Sequence, residues 1–270
     1  MITFNARRNP LLTLAAAAVA LTALSGCGGS KGAASATVSA PATVSASASA
    51  SASGSASTPA SAAPTAAGAF DLEKALAEAG RTPYAATMKA STQLAGKDVV
   101  TTTGRANFET LFTGRVETRS TAGVPAAQAF WMESVMTADG TYIRDRLKAG
   151  DAWVKMPASA DNQASYTGYA KLLLATGPSA KKGVEDQGGI PAHHLAGRLD
   201  LDQIASVDPR VHRSMKAKGV TGFDCDQWID AQGRTLRFEQ RMDVQGMAAG
   251  NEVTVGEFGP VETFEAPTGS

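Results

Sequence analysis

The sequence predicts an α+β domain in which a mostly antiparallel, curved sheet is covered by two or three helices. Three observations predict it. From Tyr84 onward, runs rich in Thr, Val and aromatics alternate with a period of two and are separated by short turn signals. In Arg234–Val244, the residues Leu236, Phe238, Gln240, Met242 and Val244 alternate with Arg237, Glu239, Arg241 and Asp243, so one sheet face is charged and the other apolar. Two later stretches, Tyr166–Thr176 and Asp200–Gly219, space their apolar residues three or four apart instead. A long sheet with one apolar face must cover it, and these helices are the segments available to do so.

The elements follow in order. Phe70–Gly80 reads as a short helix: Asp71 caps it, Leu72, Ala75, Leu76 and Ala79 share a face, and Gly80 stops it. Tyr84–Leu94, Val99–Phe108 and Leu111–Ser120 read as strands, with turns at Ala95-Gly96-Lys97-Asp98 and Glu109-Thr110. Phe130–Thr137 and Thr141–Leu147 flank Ala138-Asp139-Gly140, whose Asp-Gly signals a hairpin, and Ala152–Met156 adds a short strand after the Ala149-Gly150-Asp151 turn. Tyr166–Thr176 places Tyr169, Leu172, Leu173 and Thr176 on one side of a helix that Gly177-Pro178 ends. His193–Leu199 returns to strand. Asp200–Gly219 is helical, with Asp200 as cap, Ile204, Val207, Val211 and Met215 on one face, and a kink expected at Pro209. Phe223–Asp230 and Arg234–Val244 are strands joined by Ala231-Gln232-Gly233, and strands Asn251–Glu257 and Val261–Glu265 close the chain.

Ahead of this domain the chain is of another kind. Met1–Pro10 carries Arg7 and Arg8 and no acid, and Leu11–Leu24 is an uncharged run of 14 residues, too short to span a bilayer core of about 30 Å. The run ends in Leu24-Ser25-Gly26-Cys27, which resembles the bacterial lipobox, where cleavage precedes a Cys alkylated by diacylglycerol. Residues 1–26 are therefore expected to be a lipoprotein signal peptide and Cys27 the lipid attachment site. The two chains of a diacylglyceryl group suffice for stable anchoring, so the protein is expected outside the cytoplasm, tethered to the cell membrane. From residue 27 to residue 69 the chain is nearly all Ala, Ser, Thr, Pro and Gly. Such a segment buries too little apolar area to offset its ordering entropy, and as a flexible spacer it reaches about 35 Å. The remaining residues, 70–270, suit one domain with a substantial core.

The formal net charge is zero, which gives no basic field to hold nucleic acid. No cofactor is expected. His193 and His194 are adjacent on a strand, so they point to opposite faces and cannot readily grip one metal ion; no metal site is expected. Cys225 lies between Asp224 and Asp226, which disfavours a thiolate nucleophile, and its expected place is a buried one. Asp226, Trp228 and Asp230 share a strand face, where carboxylates near a turn are expected to be solvated. No G-x-S-x-G elbow and no phosphate-binding loop occurs. No catalytic residues are expected and the chain does not read as an enzyme.

The order of elements resembles the LppX/LprG-type lipoproteins of actinobacteria, within the LolA/LolB-like lipoprotein carrier superfamily. The residues that carry the resemblance are Asp139-Gly140-Thr141-Tyr142 followed by Trp153, the helix Tyr169–Thr176, the Gly-rich link Glu185–Pro191, and His194–Asp200 with Leu201–Lys218 behind it. Gln227-Trp228-Ile229-Asp230-Ala231-Gln232-Gly233 with Leu236-Arg237-Phe238, and the finish Phe258-Gly259-Pro260-Val261 to Ala266-Pro267, complete the set. The likeness spans Leu72 to Pro267. It implies a half-open β-barrel lidded by helices around an apolar cavity, and a binding or carrying role for a hydrophobic ligand, an acyl lipid. On that reading Val135, Tyr142, Trp153, Leu172, Leu173, Leu195, Ile204, Trp228, Leu236, Phe238 and Met242 are candidate lining residues, each of which an ordinary packed core would also explain. Expected partners are the membrane through the lipid anchor, a lipid ligand, and a membrane transporter or envelope protein; a monomer is expected. The alternative is a structural or regulatory envelope protein that binds a partner protein and has no ligand cavity.

Overall fold

The computed structural model describes residues 70–148, 152–157 and 165–268. The signal peptide, Cys27, the 27–69 segment and the Ala149-Gly150-Asp151 turn lie outside these residues. The described chain forms helix α1 (Leu72–Ala79), strands β1 (Tyr84–Leu94), β2 (Lys97–Phe108), β3 (Gly114–Ser120), β4 (Trp131–Thr137), β5 (Gly140–Asp145) and β6 (Val154–Pro157), then helix α2 (Tyr166–Ala175). Strands β7 (Lys181–Gln187) and β8 (Ile190–Asp200), helix α3 (Pro209–Lys216), and strands β9 (Gly222–Ile229), β10 (Thr235–Val244) and β11 (Met247–Gly259) follow.

All eleven strands join one antiparallel sheet in the order β6-β5-β4-β3-β2-β1-β11-β10-β9-β8-β7. It is two meanders sewn together where β1 pairs with β11. The sheet is curved and open, with β6 and β7 as its two edges. The chain must pass from one edge to the other between β6 and β7, and helix α2 lies on that passage. A connection between opposite edges of an open sheet has to run over a face, which is why the helix covers the apolar side.

Tight turns fix the register. Ala95-Gly96 and Gln245-Gly246 both have two positive φ values, 50° and 73°, and 56° and 81°, as two-residue hairpin turns of matching twist require. They define the lower end of the sheet. At the upper end Asp230 builds the β9–β10 turn: its carboxylate accepts from the backbone N–H of Gln232 and Arg234 and from Arg234 Nε, at 2.8–2.9 Å. Gly233 in that turn packs beneath α1, where a Cβ would stand 2.3 Å from the Ala75 carbonyl oxygen. Helix α1 forms as its capping pattern predicts, with Asp71 accepting from Lys74 N–H and Leu72, Ala75, Leu76 and Ala79 buried.

The inner face carries the core. Ala86 and Met88 of β1, Phe108 of β2, Phe223 of β9, Phe238 of β10 and Val253 of β11 pack against residues of all three helices. The outer face is charged, with a small second cluster of Ala192, Trp228 and Leu236.

Four details differ from the sequence expectation. Lys181–Gln187 is a strand, not part of a link: this edge segment, KKGVEDQ, is exposed along nearly its whole length and shows no apolar alternation. Pro209 does not kink a long helix. A 3-10 segment, Leu201–Ser206, ends first, and Pro209 then occupies the first turn of α3, where its missing N–H costs nothing. Val261–Glu265 is not a strand; it follows the outer face, where Asn107 exchanges two side-chain hydrogen bonds with the backbone of Glu262, at 2.7 and 3.0 Å. Finally, β10 bulges at Leu236: Thr235 pairs with Ile229 and Arg237 with Trp228, so one residue is extra. Leu236 therefore leaves the face of Phe238 and joins Trp228 on the outside.

Candidate ligand-binding face

Helix α2 is fixed over the inner face by ties of several kinds. At its start Glu109, in the β2–β3 turn with φ of 57°, accepts from Ser165 Oγ at 2.9 Å and from Thr167 N–H at 3.2 Å. A carboxylate there also meets the positive end of the helix dipole. Gln227 of β9 donates from Nε2 to the Tyr166 carbonyl at 3.0 Å and to Thr235 Oγ1 at 2.8 Å. Tyr166 packs against Phe108 and Phe238, and Tyr169 against Phe223 and Phe238. Gly168 admits Val207, whose Cγ1 would stand 2.5 Å from a Cβ there. Tyr169 donates its hydroxyl to Asp208 Oδ2 at 3.3 Å, and Asp208 Oδ1 in turn caps α3 by accepting from Val211 N–H at 2.9 Å. Burial raises the Asp208 carboxyl above its ordinary range, against these hydrogen bonds. Burial likewise pushes both tyrosines far upward, so their phenols stay neutral.

Below the helix the inner face changes character. Phe238 marks the row where α2 lies. In the next row down Gln240 of β10 faces Asn251 of β11, and Asn251 faces Thr92 of β1. All three are buried. On β2 and β3, Thr102 and Thr118 share a hydrogen bond of 3.0 Å. Ala90, in the row of Phe238 and Val253, and Ala249, paired with Met242 on the other side of the Gln240 row, are small and only partly buried.

The candidate lining residues divide between the two faces. Leu172, Leu173, Leu195, Ile204, Phe238 and Met242 come together on the inner face, four of them fully in the core and Leu172 and Met242 at its margin. Trp228 and Leu236 stand on the outer face. Val135 also points outward, into a groove it shares with Arg115, Phe264 and the C-terminal segment. Tyr142 pairs with Val135 across the strands and lies under Lys155 Nζ. Trp153 sits half-buried under the guanidinium of Arg144, 4.6 Å from its ring centre. Sequence reasoning passed over Thr92, Asn251 and Glu109; Gln240, a polar residue at an inward position of an alternating run, was the one visible signal.

The chemistry left outside is electrostatic. His193 and His194 point to opposite faces, His193 meeting the Phe70 carbonyl inside. His194 stacks on Trp228 at 4.3 Å and lies between two carboxylates, Nδ1 at 2.8 Å from Glu185 and Nε2 at 2.7 Å from Asp226. Asp226 also pairs with Arg241, and Asp230 with Arg234 at 2.7 Å. Both carboxylates are thus buried and paired, contrary to the expectation of solvated groups, because the outer face of β9 is roofed by His194 and the long arginines of β10. The indole N–H of Trp228 holds Glu185 below the usual carboxylate range. Cys225 is buried on the inner face, and burial pushes its thiol well above the ordinary range. Among the described residues no group of three His, Cys, Asp or Glu side chains could hold a metal ion, and no helix is long and apolar enough to cross a membrane.

No family model and no curated protein matches the chain. Solved structures do. LprF from Mycobacterium bovis matches 74% of this chain and 99% of its own at 13% identity, with a TM-score of 0.43. The Mycobacterium tuberculosis lipoprotein LppX matches 71% of this chain and 96% of its own at 11% identity, with a TM-score of 0.39. A LolA superfamily protein from Nitrosomonas europaea matches 72% and 95% at 7% identity, with a TM-score of 0.25. At these identities and overlaps ligand and role rest on the chain's own residues. Its structural neighbours are mycobacterial lipoproteins and LolA-superfamily proteins, the group that the sequence resembles.

Proposed function

We propose that this protein is an extracytoplasmic lipoprotein, anchored through an acylated Cys27 and set off from the membrane by residues 27–69. Its 70–270 domain binds an acyl lipid on the inner face of the sheet, beside helix α2, without a covalent step. The observation that carries this reading is that the inner face of the open sheet, on which the helices pack, keeps partly buried apolar residues, Ala90, Ala249, Met242 and Leu172, at the margin of its core. Leu172, Leu173, Phe238 and Met242 would border the acyl chains, and Leu195 and Ile204 would hold the helices in place. Burial of methylenes supplies the affinity, at about 0.8 kcal/mol each.

Native mass spectrometry of the mature chain carrying Cys27→Ser, beside organic extraction of the same sample, tests the binding. Lipid recovered in near-stoichiometric amount supports it. An apo mass that stays unchanged after incubation with membrane lipids contradicts it and turns attention to a partner protein as ligand. The anchor has its own check: metabolic labelling with palmitate should mark the wild-type chain and not the Cys27→Ser variant.

A further inference from the structure

We propose that the outer face carries a binding groove for a small zwitterion of the amino-acid class, set between strands β2–β4 and the C-terminal segment. The groove lies on the face opposite the lipid-binding reading and does not depend on it.

The groove has a volume of about 450 Å³, with Thr103 of β2, Arg115 and Glu117 of β3, Glu133 of β4 and Phe264 among the residues that line it. Phe264 is held there through its own segment. Asn107, 2% exposed, donates from its amide to the Glu262 carbonyl at 2.7 Å and accepts from the Glu262 N–H at 3.0 Å, and Arg105 Nε pairs with the Glu262 carboxylate at 2.5 Å. An amide that binds both backbone groups of one residue fixes it as a neighbouring strand would. Two residues on, the half-buried Phe264 borders the groove.

Like charge faces like charge across the strands beneath: Arg105 stands opposite Arg115, and Glu117 opposite Glu133. Such pairs destabilise a sheet unless something neutralises them. Two of the four are neutralised within the protein. Arg105 has Glu262, and Glu133 has Arg144, whose Nη2 and Nε lie 2.6 and 2.9 Å from Oε2. Among the described residues Arg115 pairs with Glu133 alone, at 3.6 Å, and its side chain stays 58% exposed. Glu117, half-buried, has no hydrogen bond or ion pair among the described residues. Arg115 and Glu117 are two positions apart on β3, so their side chains rise from one face about 7 Å apart.

A guest that answers both carries an anion and a cation close together. The guanidinium of Arg115 takes a carboxylate through parallel N–H bonds. Glu117 takes an ammonium, and the hydroxyl of Thr103, its partner across β2, accepts from the same group. The Phe264 ring gives an apolar wall for a side chain. An α-amino acid carries all three on one carbon. An anion alone would meet Glu117 and Glu133, and a cation alone would meet Arg105 and Arg115, so either half by itself is disfavoured.

The test is an amide NMR titration of the mature chain carrying Cys27→Ser, into the millimolar range, with three probes: leucine, leucine methyl ester without the anion, and N-acetylleucine without the cation. Leucine should shift the amides of Gly104, Val116 and Phe264 and bind at least about fivefold more tightly than either derivative. Glu117→Gln should weaken leucine by about threefold to tenfold and leave N-acetylleucine unchanged, and Arg115→Gln should do the same to leucine while leaving the methyl ester unchanged. Both side chains stand at the surface, so the melting temperatures should stay close to that of the parent chain. Equal binding of the three probes overturns the selection. Amides around the groove that do not move with leucine, or a Glu117→Gln variant that binds leucine as the parent does, overturn the site. Lipid on the inner face has no bearing on these outcomes, since they are read on the outer one.

Discussion

Under helix α2 the inner face of the sheet is built from rings: Phe108, Phe223 and Phe238 meet Tyr166 and Tyr169 at centre distances of 5.1–6.5 Å. One row lower, across β10, β11, β1 and β2, the same face is built from Gln240, Asn251, Thr92 and Val100. The two regions share strands, register and curvature, so the difference lies in side-chain volume and polarity alone. Large rings fill the space between sheet and helix and fix the fold. Polar residues bring hydrogen-bonding capacity instead.

Substitutions that treat the two regions alike should give unlike results. The largest effect is expected from Phe238→Ala, which removes a ring that touches two others and should cost about 3–5 kcal/mol in urea unfolding. Met242→Ala, on the same strand at the margin, should cost well under half of that. Enlarging small residues sharpens the contrast. Ala106→Leu overfills the region under the helices and should cost about 1–3 kcal/mol. Ala90→Leu, in the Phe238 row but only partly buried, should cost less than about 1 kcal/mol. Next in size is the tie that holds α2. Glu109→Ala removes two charge-assisted hydrogen bonds and should cost about 1.5–3 kcal/mol, with faster amide hydrogen exchange confined to the first turn of α2.

The smallest effect is a pH dependence. Asp208 has its carboxyl raised by burial in the folded chain, so the folded state holds that proton more tightly than the unfolded state. The stability linked to it is fully present below the ordinary carboxylate range and declines as pH rises through the raised value. Asp208→Asn keeps the oxygen that accepts from Val211 N–H, puts a donor amide toward the Tyr169 hydroxyl, and cannot ionise. It should flatten the decline in melting temperature as pH rises above the ordinary carboxylate range, while a decline as steep as that of the wild type would remove the role assigned to Asp208.

Most of the strands, the helix at Tyr166 and the cap at Asp71 were legible in the sequence, because period-two and period-3.6 patterns and Asp-Gly or Gly turns are local signals. What was not legible depended on partners distant in sequence. The bulge at Leu236 is a property of the β9–β10 pair, and no alternation within β10 reveals it. Strand β7 has no apolar face of its own and is a strand because β8 pairs with it. Of the candidate lining residues, those on α2 and the inner strands came together. Val135, Tyr142, Trp153, Trp228 and Leu236 were chosen for apolar character, yet an outer face that stacks His194 on Trp228 and arginines on rings also uses such residues. Thr92 and Asn251 were overlooked because threonine and asparagine in a strand ordinarily signal the wet side, and only the pairing of β1 with β11 turns them inward together.

The most direct test of the central claim, that the inner face of the sheet holds the ligand, is native mass spectrometry of the wild-type mature chain and its Ala90→Leu variant, both carrying Cys27→Ser and purified side by side from the same host. The account predicts co-purified lipid on the wild type and a loss of most of it on the Ala90→Leu variant, with unfolding midpoints nearly equal. Equal lipid occupancy of the two proteins would contradict it.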